Sequence, residues 1–507
     1  MTAPTAQESS GGAVSSAGDA DIVIHDALVL TVDDEKELYE QGTVCIRDGQ
    51  IVAVRESNHS DADMEADVVI DGSGKLVMPG LVNTHTHLEL TPTIAGASEL
   101  GEFELWGYNT PLYTRFFDGE FDYLCKAGYK LAALNFLTSG VTTVNSMDTR
   151  PSLGADVFGE AGLRGFFGSV ISDLFWDIPV DEQFARTREF VEAYHGSYDG
   201  RIQATICPHD DWSCTRELWE RTASVAAEYP DVLVHTHLLE LEMSNTIARS
   251  NGATDSLDLL EDTGLLNDRL LAAHFRVADE QDIQRTANAD AGVAHCASIF
   301  SYWNPDAGMQ WTPVPDLLDA GVDVGLGIDD HYWHDSYDLL GEARQARLAA
   351  NLQWGHGQFT SRELVRMLTI EGARALNIGD EIGSIEAGKR ADLLVLDFSS
   401  PKFAPINNIY AHVANQATRA DVETVIVDGE LLMRDGDVLT MDSDAVLARV
   451  EAAMERFEAD TEWSFDHDGT ETPSTWSVVR NAPKRGPTRM AARYALQSIK
   501  DTLRLSP

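Results

Sequence analysis

Hydrophobic and polar residues follow two different rhythms along the chain. Residues 21 to about 80 form short β-rich runs with tight turns, and the pair Asp48-Gly49 is typical of a hairpin joining two strands. The same pattern of short β-rich runs and tight turns occurs near the end of the chain, in GSIEAGKRADLLVLDF (383–398) and VETVIVDGELLMRDG (422–436). Two distant pieces with the same pattern predict a small β-sandwich domain assembled from residues 21–78 and 383–440.

Between these pieces, short apolar runs alternate with helical segments such as 123–137, 216–228 and 277–288. Most of the runs are apolar throughout, as parallel strands buried on both faces should be. The candidate strands are 81–87, 141–145, 165–170, 202–208, 232–237, 270–274, 291–295 and 322–328. Eight such units predict an α/β fold, a (β/α)8 TIM-type barrel over residues 79–382. The alternative, a doubly wound open sheet, often carries a phosphate loop, and neither GxGxxG nor GxxxxGK[ST] occurs.

The two ends of the chain differ from this central part. Residues 1–20 are rich in Ser, Gly, Ala and Thr without a basic start and an apolar block, so we expect a disordered lead and not a signal peptide. A cytoplasmic location is therefore predicted. Residues 441–507 form an extension with a helix predicted over 445–457. Its last part, 480–507, is basic, which favours packing on the protein's own body or on a sister subunit.

Charge and cysteine content limit the function classes. The chain carries 83 acidic and 37 basic residues, a net charge of -46, which disfavours binding to nucleic acid or an anionic membrane. Apolar runs are too short to span a bilayer, which takes ~20 residues. One hypothesis for the charge is a halophilic source, because molar salt shortens the Debye length to ~3 Å; the alternative is an ordinary acidic protein. Five scattered cysteines without a CxxC pair argue against a disulfide framework or a thiolate zinc site.

Most of the predicted strands end in histidine or aspartate. In a barrel these ends converge at one mouth, where catalytic groups lie. Alternate residues of a strand share a face, so His85 and His87 should both point inward and reach one metal ion. The same spacing leaves open whether His235, His237 or both point inward. Imidazole and carboxylate ligands suit zinc, and also iron or manganese. The residues at the other strand ends are His209, His274, His295 and Asp329.

The segment PGLVNTHTHLEL (79–90) resembles the opening metal motif of the amidohydrolase superfamily. Segments similar to its later motifs follow in order: HTHLLE (235–240), AAHF (272–275) and GLGIDD (325–330). The closing GSIEAGKRADLLVLD (383–397) is similar to the family's return into a small β domain. Within the superfamily, the chain looks most like the branch of adenosine-type and S-adenosylhomocysteine deaminases, guanine deaminase and triazine hydrolases.

This resemblance implies one divalent metal ion, with Zn2+ favoured and Fe2+ or Mn2+ as alternatives. The implied ligands are His85, His87, His237 and Asp329. In this branch the strand-five ligand lies three residues before a catalytic Glu, which selects His237 over His235 and makes Glu240 catalytic. Glu240 would protonate a ring nitrogen, and Asp329 would accept the proton of the attacking water. His274 would position that water. Strand four lacks the lysine that bridges two ions in dinuclear relatives.

Substrate contacts are predicted less directly. The resemblance implies that His209 contacts substrate, and His295 is a second candidate. Trp106 and Trp303 lie in predicted loops and would stack on a flat ring, or alternatively pack those loops. Relatives commonly continue after the strand-seven His-Cys with Pro-x-Ser-Asn, whereas this chain has Ala-Ser-Ile-Phe, and the residue after Asp329 is Asp330 where relatives usually have Gly. Both differences leave the substrate's identity open.

The resulting hypothesis is a metal-dependent hydrolase that deaminates a nitrogen heterocycle. The alternative is a chloro- or alkylamino-hydrolase of a triazine-like ring, or an amide or urea hydrolase, with the same metal site. A non-catalytic binding barrel would lack an essential group, and none is missing from the sequence. The expected partner is a small heterocyclic substrate, with no nucleic acid and no membrane. Because relatives are often dimers or larger, a homo-oligomer is expected.

Overall fold

The computed structural model describes residues 20–35, 38–58, 60–89, 113–174, 176, 178–302, 311–330, 336–461 and 486–504. Its strands are β1 (Ala20–Leu30), β2 (Leu38–Arg47), β3 (Gln50–Glu56), β4 (Ala66–Asp71), β5 (Lys75–Pro79), β6 (Leu81–His87), β7 (Val141–Asp148), β8 (Arg164–Ile171), β9 (Ile202–Pro208), β10 (Leu233–Leu238), β11 (Leu270–His274), β12 (Gly292–His295), β13 (Val324–Leu326), β14 (Asp329–Asp330), β15 (Leu393–Asp397), β16 (Val422–Val427), β17 (Glu430–Arg434) and β18 (Asp437–Val438).

The helices alternate with the strands in the central part of the chain and continue beyond it. They are α1 (Tyr113–Phe117), α2 (Asp122–Ser139), α3 (Pro151–Ala161), α4 (Val180–Tyr194), α5 (Arg216–Glu228), α6 (Ser244–Ser250), α7 (Ser256–Thr263), α8 (Glu280–Asn288), α9 (Ala297–Tyr302), α10 (Val314–Asp319), α11 (Leu339–Trp354), α12 (Ser361–Leu368), α13 (Ile370–Ala375), α14 (Ile409–Gln416), α15 (Ser443–Thr461) and α16 (Gly486–Arg504).

The β-rich pieces from the two ends of the chain form one mixed sheet in the order β18-β17-β16-β15-β5-β1-β2-β3, with β4 paired to β1. The early and late pieces meet where β5 runs antiparallel to β15, with Met78 opposite Leu394. Apolar side chains such as Val29, Val77 and Leu393 are buried on this sheet. The predicted assembly of a small β domain from distant segments is therefore confirmed.

The second sheet is parallel throughout and follows chain order from β6 to β13, with β14 beside β6. The eighth strand is split: β13 pairs with β12, and after Gly327-Ile328 β14 pairs with β6. The two parts of the eighth strand join the last strand of the sheet to the first. On β6, the hydroxyl groups of Thr84 and Thr86 donate to the carbonyls of Leu326 and Asp329 at 2.9 and 2.8 Å. This closure confirms the (β/α)8 barrel and brings the ends of the first and last strands together.

A buried ion cluster joins the barrel to the mixed sheet. Arg164, at the start of β8, is 3% exposed. Its Nε lies 3.0 Å from Asp392 Oδ2 and its Nη2 lies 3.0 Å from Asp428 Oδ1. The guanidinium group of Arg164 therefore compensates Asp392 and shares Asp428 with Arg390, whose Nη1 lies 2.8 Å from Asp428 Oδ1.

The C-terminal extension packs on the outside of the barrel. Helix α15 covers the predicted 445–457 and extends it at both ends, and Phe457 packs edge-on against Phe121 with ring centroids 5.1 Å apart. Helix α16 contacts α6, where Arg249 Nε lies 2.8 Å from Asp501 Oδ2. Among the described residues, no helix combines the length and apolar character needed to cross a membrane.

Candidate metal centre and active site

Three imidazole rings converge at the mouth of the barrel. His85 and His87 extend from the same face of β6, and His237 extends from β10. The Nε2 atom of His237 lies 3.2 Å from Nε2 of His85 and 3.2 Å from Nε2 of His87. Asp329 completes the group, because its Oδ1 lies 3.5 Å from His85 Nε2 and 3.6 Å from His87 Nε2.

In two of these rings, the hydrogen bond made by Nδ1 leaves Nε2 available to a metal ion. His87 Nδ1 donates to the carbonyl of Met147 at 2.6 Å, and His237 Nδ1 donates to the carbonyl of His209 at 2.6 Å. A neutral ring with its proton on Nδ1 presents a lone pair at Nε2, so two lone pairs face each other across 3.2 Å. Such a contact is repulsive unless a cation lies between them.

The spacing of these atoms fits a tetrahedral ion. With ligand bonds of about 2.0–2.1 Å, the ligand atoms of a tetrahedral zinc site lie about 3.4 Å apart. The four separations given above, out of six within the group, are 3.2 to 3.6 Å. The donor set, three imidazole nitrogen atoms and one carboxylate oxygen, is also one that zinc accepts. The residues present therefore fit a divalent metal ion.

His274 lies on the other side of the Asp329 carboxylate. Its Nε2 is 3.6 Å from Asp329 Oδ2, whereas Oδ1 faces His85 and His87. The possible ligand atoms of His85, His237, His274 and Asp329 all lie within 4.8 Å of one another. The two oxygen atoms of Asp329 thus face different partners: Oδ1 faces His85 and His87, and Oδ2 faces His274.

Burial and neighbouring carboxylates control the charge of these groups. Burial lowers the pKa of His85, brings that of His274 down to about 3, and keeps that of His237 well below its usual value. At His87, burial is outweighed by nearby carboxylates, Asp330 first, which raise the pKa. Burial opposes ionisation of Asp329, but the imidazoles of His274 and His85 outweigh it and hold its pKa below the usual range. Neutral histidine and ionised aspartate are the protonation states that bind metal.

Glu240 follows β10 at the rim of this cluster and is 8% exposed. Burial, reinforced by the carboxylate of Asp329, raises the pKa of Glu240 well above its usual value and so favours the protonated group. The preceding Leu239 adopts a left-handed backbone conformation with φ 50°. Arg276 Nε donates to the Glu240 carbonyl at 2.8 Å and fixes this turn. A protonated, buried carboxyl group beside a metal site is suited to donate a proton.

His209 lies directly behind His237, with ring centroids 4.8 Å apart. Its Nδ1 is hydrogen-bonded to the carboxylate of Asp210, which is fully buried. The indole of Trp176 meets the His209 ring edge-on at 5.4 Å. Asp210 was not predicted as the partner that orients His209, although the two residues are adjacent in the chain. This arrangement holds an imidazole beside the cluster, at the position predicted to meet substrate.

The comparisons with known proteins agree with this geometry. The Amidohydrolase family model matches residues 76–432. The chain is 32% identical over 418 residues to a 5'-deoxyadenosine deaminase of Methanosarcina acetivorans, covering 81% of this chain and 92% of that protein. It is 31% identical over 414 residues to a 5-methylthioadenosine/S-adenosylhomocysteine deaminase of Desulfitobacterium hafniense, covering 80% and 91%.

The chain belongs to the amidohydrolase family. It is a hydrolytic enzyme, and its predicted family is confirmed. Among solved structures, it is similar to an adenosine deaminase of Xanthomonas campestris with bound zinc. That similarity has a TM-score of 0.77 and 26% identity, and covers 87% of this chain and 99% of the other. A protein of this family with a His and Asp cluster of this kind has a site for a divalent metal ion.

The sequence left open which histidine of the strand-five pair points inward in this amidohydrolase. Both do, at different depths. His237 reaches the cluster with Nε2, whereas His235 Nε2 lies 2.8 Å from His85 Nδ1, on the side of that ring away from the cluster. Strand alternation predicts the shared face but not the depth, because depth depends on where each strand sits relative to its neighbours.

The loops after the first two barrel strands brace each other beside His87. The backbone N–H of Leu88 donates to Asp148 Oδ1 at 2.9 Å, and the backbone N–H groups of Thr149 and Arg150 donate to the Glu89 carboxyl group at 2.9 Å. Burial raises the pKa of Glu89 to about 8. Glu89 was missed from sequence, although it lies two residues after the metal motif's second histidine.

The other predicted substrate contacts are placed only in part. His295 is buried at the end of β12, its Nδ1 has no hydrogen-bond partner among the described residues, and burial lowers its pKa to about 4. Trp106 and Trp303 lie outside the described residues. Left-handed backbone occurs at His274, Phe275 and Asp329, with φ of 74°, 49° and 56°. Such conformations cost roughly 1–3 kcal/mol each for non-glycine residues and cluster at functional sites.

Proposed function

We propose that this amidohydrolase binds one zinc ion and removes an amino group from a nitrogen heterocycle of the adenosine type, with release of ammonia. The observation that carries the proposal is the convergence of three imidazole Nε2 atoms and one carboxylate oxygen beside the buried carboxyl group of Glu240, whose pKa is raised. The proposed ligands are His85, His87, His237 and Asp329. Glu240, His274 and Asp329 are the proposed catalytic residues.

His85, His87, His237 and Asp329 would hold a divalent ion, which would supply Lewis acidity and lower the pKa of a nearby water molecule toward ~7. Asp329 accepts one proton of that water and delivers it to the departing amino group. His274 positions the water, since its Nε2 faces the second oxygen of Asp329. Glu240 protonates the ring nitrogen while the carbon–oxygen bond forms. It recovers a proton from the new hydroxyl group as the carbonyl forms and the carbon–nitrogen bond breaks, so the products are the oxo-heterocycle and ammonia.

The proposed substrate class and the proposed zinc ion are supported by the relatives of this chain. The relatives described above are named for deaminating 5'-deoxyadenosine and thioether adenosines, and the adenosine deaminase of similar fold contains zinc. Iron or manganese would also accept this donor set. We propose that His209 and His295 contact the heterocycle. Operation in high salt is proposed from the charge, and the cytoplasmic location and the homo-oligomeric state stay predictions from sequence.

The test combines metal analysis with a substrate panel. We expect one divalent ion per chain by elemental analysis, and ammonia release from at least one of 5'-deoxyadenosine, 5'-methylthioadenosine, S-adenosylhomocysteine and guanine. Release of chloride or an alkylamine from a triazine, without ammonia from the purines, would favour the alternative. Failure of the metal-loaded enzyme on the whole panel would contradict the proposal. His87→Ala should lose metal and activity, whereas His356→Ala, at an exposed histidine, should keep both.

A further inference from the structure

His235 is a buried imidazole that the proposed reaction does not use. It has no exposed surface, and its ring meets that of His85 edge-on, with centroids 4.9 Å apart and an interplanar angle of 81°. Its Nε2 lies 2.8 Å from His85 Nδ1, a distance typical of a strong hydrogen bond. An imidazole placed behind another in this way either binds its own ligand or orients its neighbour.

The three imidazoles of the proposed metal site are held differently. His87 and His237 each donate from Nδ1 to a backbone carbonyl, which no substitution removes. His85 instead directs Nδ1 at the side chain of His235. The orientation of one proposed ligand therefore depends on a single side chain.

His235 is itself held in place. The amide Nδ2 of Asn145 donates to the carbonyl of Thr84 at 2.8 Å and lies 3.2 Å from His235 Nδ1. Thr84 precedes His85 on β6, so Asn145 on β7 ties the His235 ring to the strand that carries the ligand. Rotation of the His235 ring would break this contact as well as the contact with His85.

We propose that His235 is a positioning residue for the metal site, accepting a hydrogen bond from His85 Nδ1 and thereby holding His85 Nε2 toward the ion. A neutral imidazole has one proton, and His85 presents a lone pair at Nε2 only when that proton is on Nδ1. His235 Nε2 is the acceptor in reach, which places the proton of the His235 ring on Nδ1. The Asn145 amide must then turn so that its Oδ1, which has no partner among the described residues, accepts from that Nδ1. The inference rests on the proposed metal site. Partners of this kind typically change metal affinity by 10–100-fold.

Two substitutions separate the hydrogen bond from simple filling of space. His235→Leu keeps apolar bulk but removes the acceptor, whereas His235→Gln offers a carbonyl oxygen near the position of Nε2. Zinc affinity is measured by competition with a chromophoric chelator. We expect His235→Leu to weaken zinc binding by about 10–100-fold and His235→Gln to restore most of the loss. At saturating zinc, the KM for substrate should change little, because His235 does not reach the mouth.

The matched control is His412→Leu, at a buried histidine of α14 that takes no part in the proposed site. Its zinc affinity should equal that of the wild type. Wild-type affinity in His235→Leu would overturn the inference. An equal weakening in His412→Leu would also overturn it, because the loss in both variants would then come from core packing. The wild type is the reference for both variants. If the wild type binds no stoichiometric ion, the proposed function is wrong, whereas the variants test only the role of His235.

A measurement on the wild type keeps the inference testable if the variants do not fold. In the cobalt-substituted enzyme, ligand imidazole N–H protons give shifted, exchangeable proton resonances. We expect one such resonance for each of the three histidine ligands, and the His85 N–H should exchange slowly with water because His235 covers it. A missing or freely exchanging His85 resonance, with zinc and activity intact, would overturn the inference while leaving the proposed function standing.

Discussion

At the scale of single residues, the carboxyl group of Glu240 is held in the form that the proposed reaction requires. Burial raises its pKa and so favours the protonated form, and it lies outside the proposed metal ligands. Glu240→Gln removes the proton but preserves shape, so kcat should fall by about 10²–10⁴-fold while the zinc content stays at one ion per chain. Steady-state kinetics together with elemental analysis test this. Wild-type kcat in the glutamine variant would remove Glu240 from the proposed mechanism.

The same residue predicts the alkaline side of the pH profile. A proton donor must be protonated to act, and burial raises the pKa of Glu240. The kcat of the enzyme should therefore hold through neutral pH and fall as the pH rises through that raised pKa. Rate measurements at fixed zinc and salt, with metal content checked at each pH, test the direction. A kcat that keeps rising on the alkaline side would contradict the assignment.

The sequence predicted which residues cluster at the mouth of the barrel, but not which residues orient them. The spacing of His85, His87 and Asp329 placed them at one mouth, because strand alternation and barrel closure are general properties of the fold. The role of His235 depends on a 2.8 Å contact between rings 150 residues apart. No local pattern encodes such a contact, so the orienting partners Asn145 and Asp210 were visible only in the structure.

At the scale of elements, three of the barrel strands were predicted residue for residue. Strands β6, β9 and β11 begin and end at the predicted residues. The eighth strand was predicted as one run over 322–328, but it is split into β13 and β14. Gly327 lies at the break, where an added Cβ would come within 3.0 Å of His85. Closing the barrel around the cluster, and not local propensity, decides this interruption.

The buried cluster of Arg164, Asp392 and Asp428 gives an element-scale prediction. Arg164→Leu would leave Asp392 buried without its cation and Asp428 with Arg390 alone, and breaking a buried pair in this way costs about 3–5 kcal/mol. We expect the free energy of unfolding, measured by denaturant titration, to fall by that amount. Asp392→Asn in the same chain should recover part of the loss. Arg188→Leu, which breaks an exposed pair with Glu228, should cost about 0–1 kcal/mol. Equal losses in the two single variants would contradict the argument.

At the scale of the whole molecule, charge is the most unusual property. A net charge of -46 cannot be compensated by local pairs, because 83 acidic residues face only 37 basic ones. Repulsion among exposed carboxylates therefore opposes the compact state in dilute buffer. The described part of the chain pairs several of its arginines with more than one carboxylate, as Arg285 does with Asp255, Asp258 and Glu261. Such pairing reduces the repulsion but leaves most of it.

Salt should therefore stabilise this enzyme by screening. From dilute buffer to molar potassium chloride the Debye length falls to ~3 Å, so repulsion between exposed carboxylates fades and the thermal unfolding midpoint should rise. Screening reaches buried charges poorly, so the deficit of Arg164→Leu relative to wild type should persist at every salt concentration. Calorimetry of both proteins across potassium chloride concentrations separates the two effects. Full folding and full activity of the wild type without salt would contradict the halophilic hypothesis and leave the acidic surface to another cause.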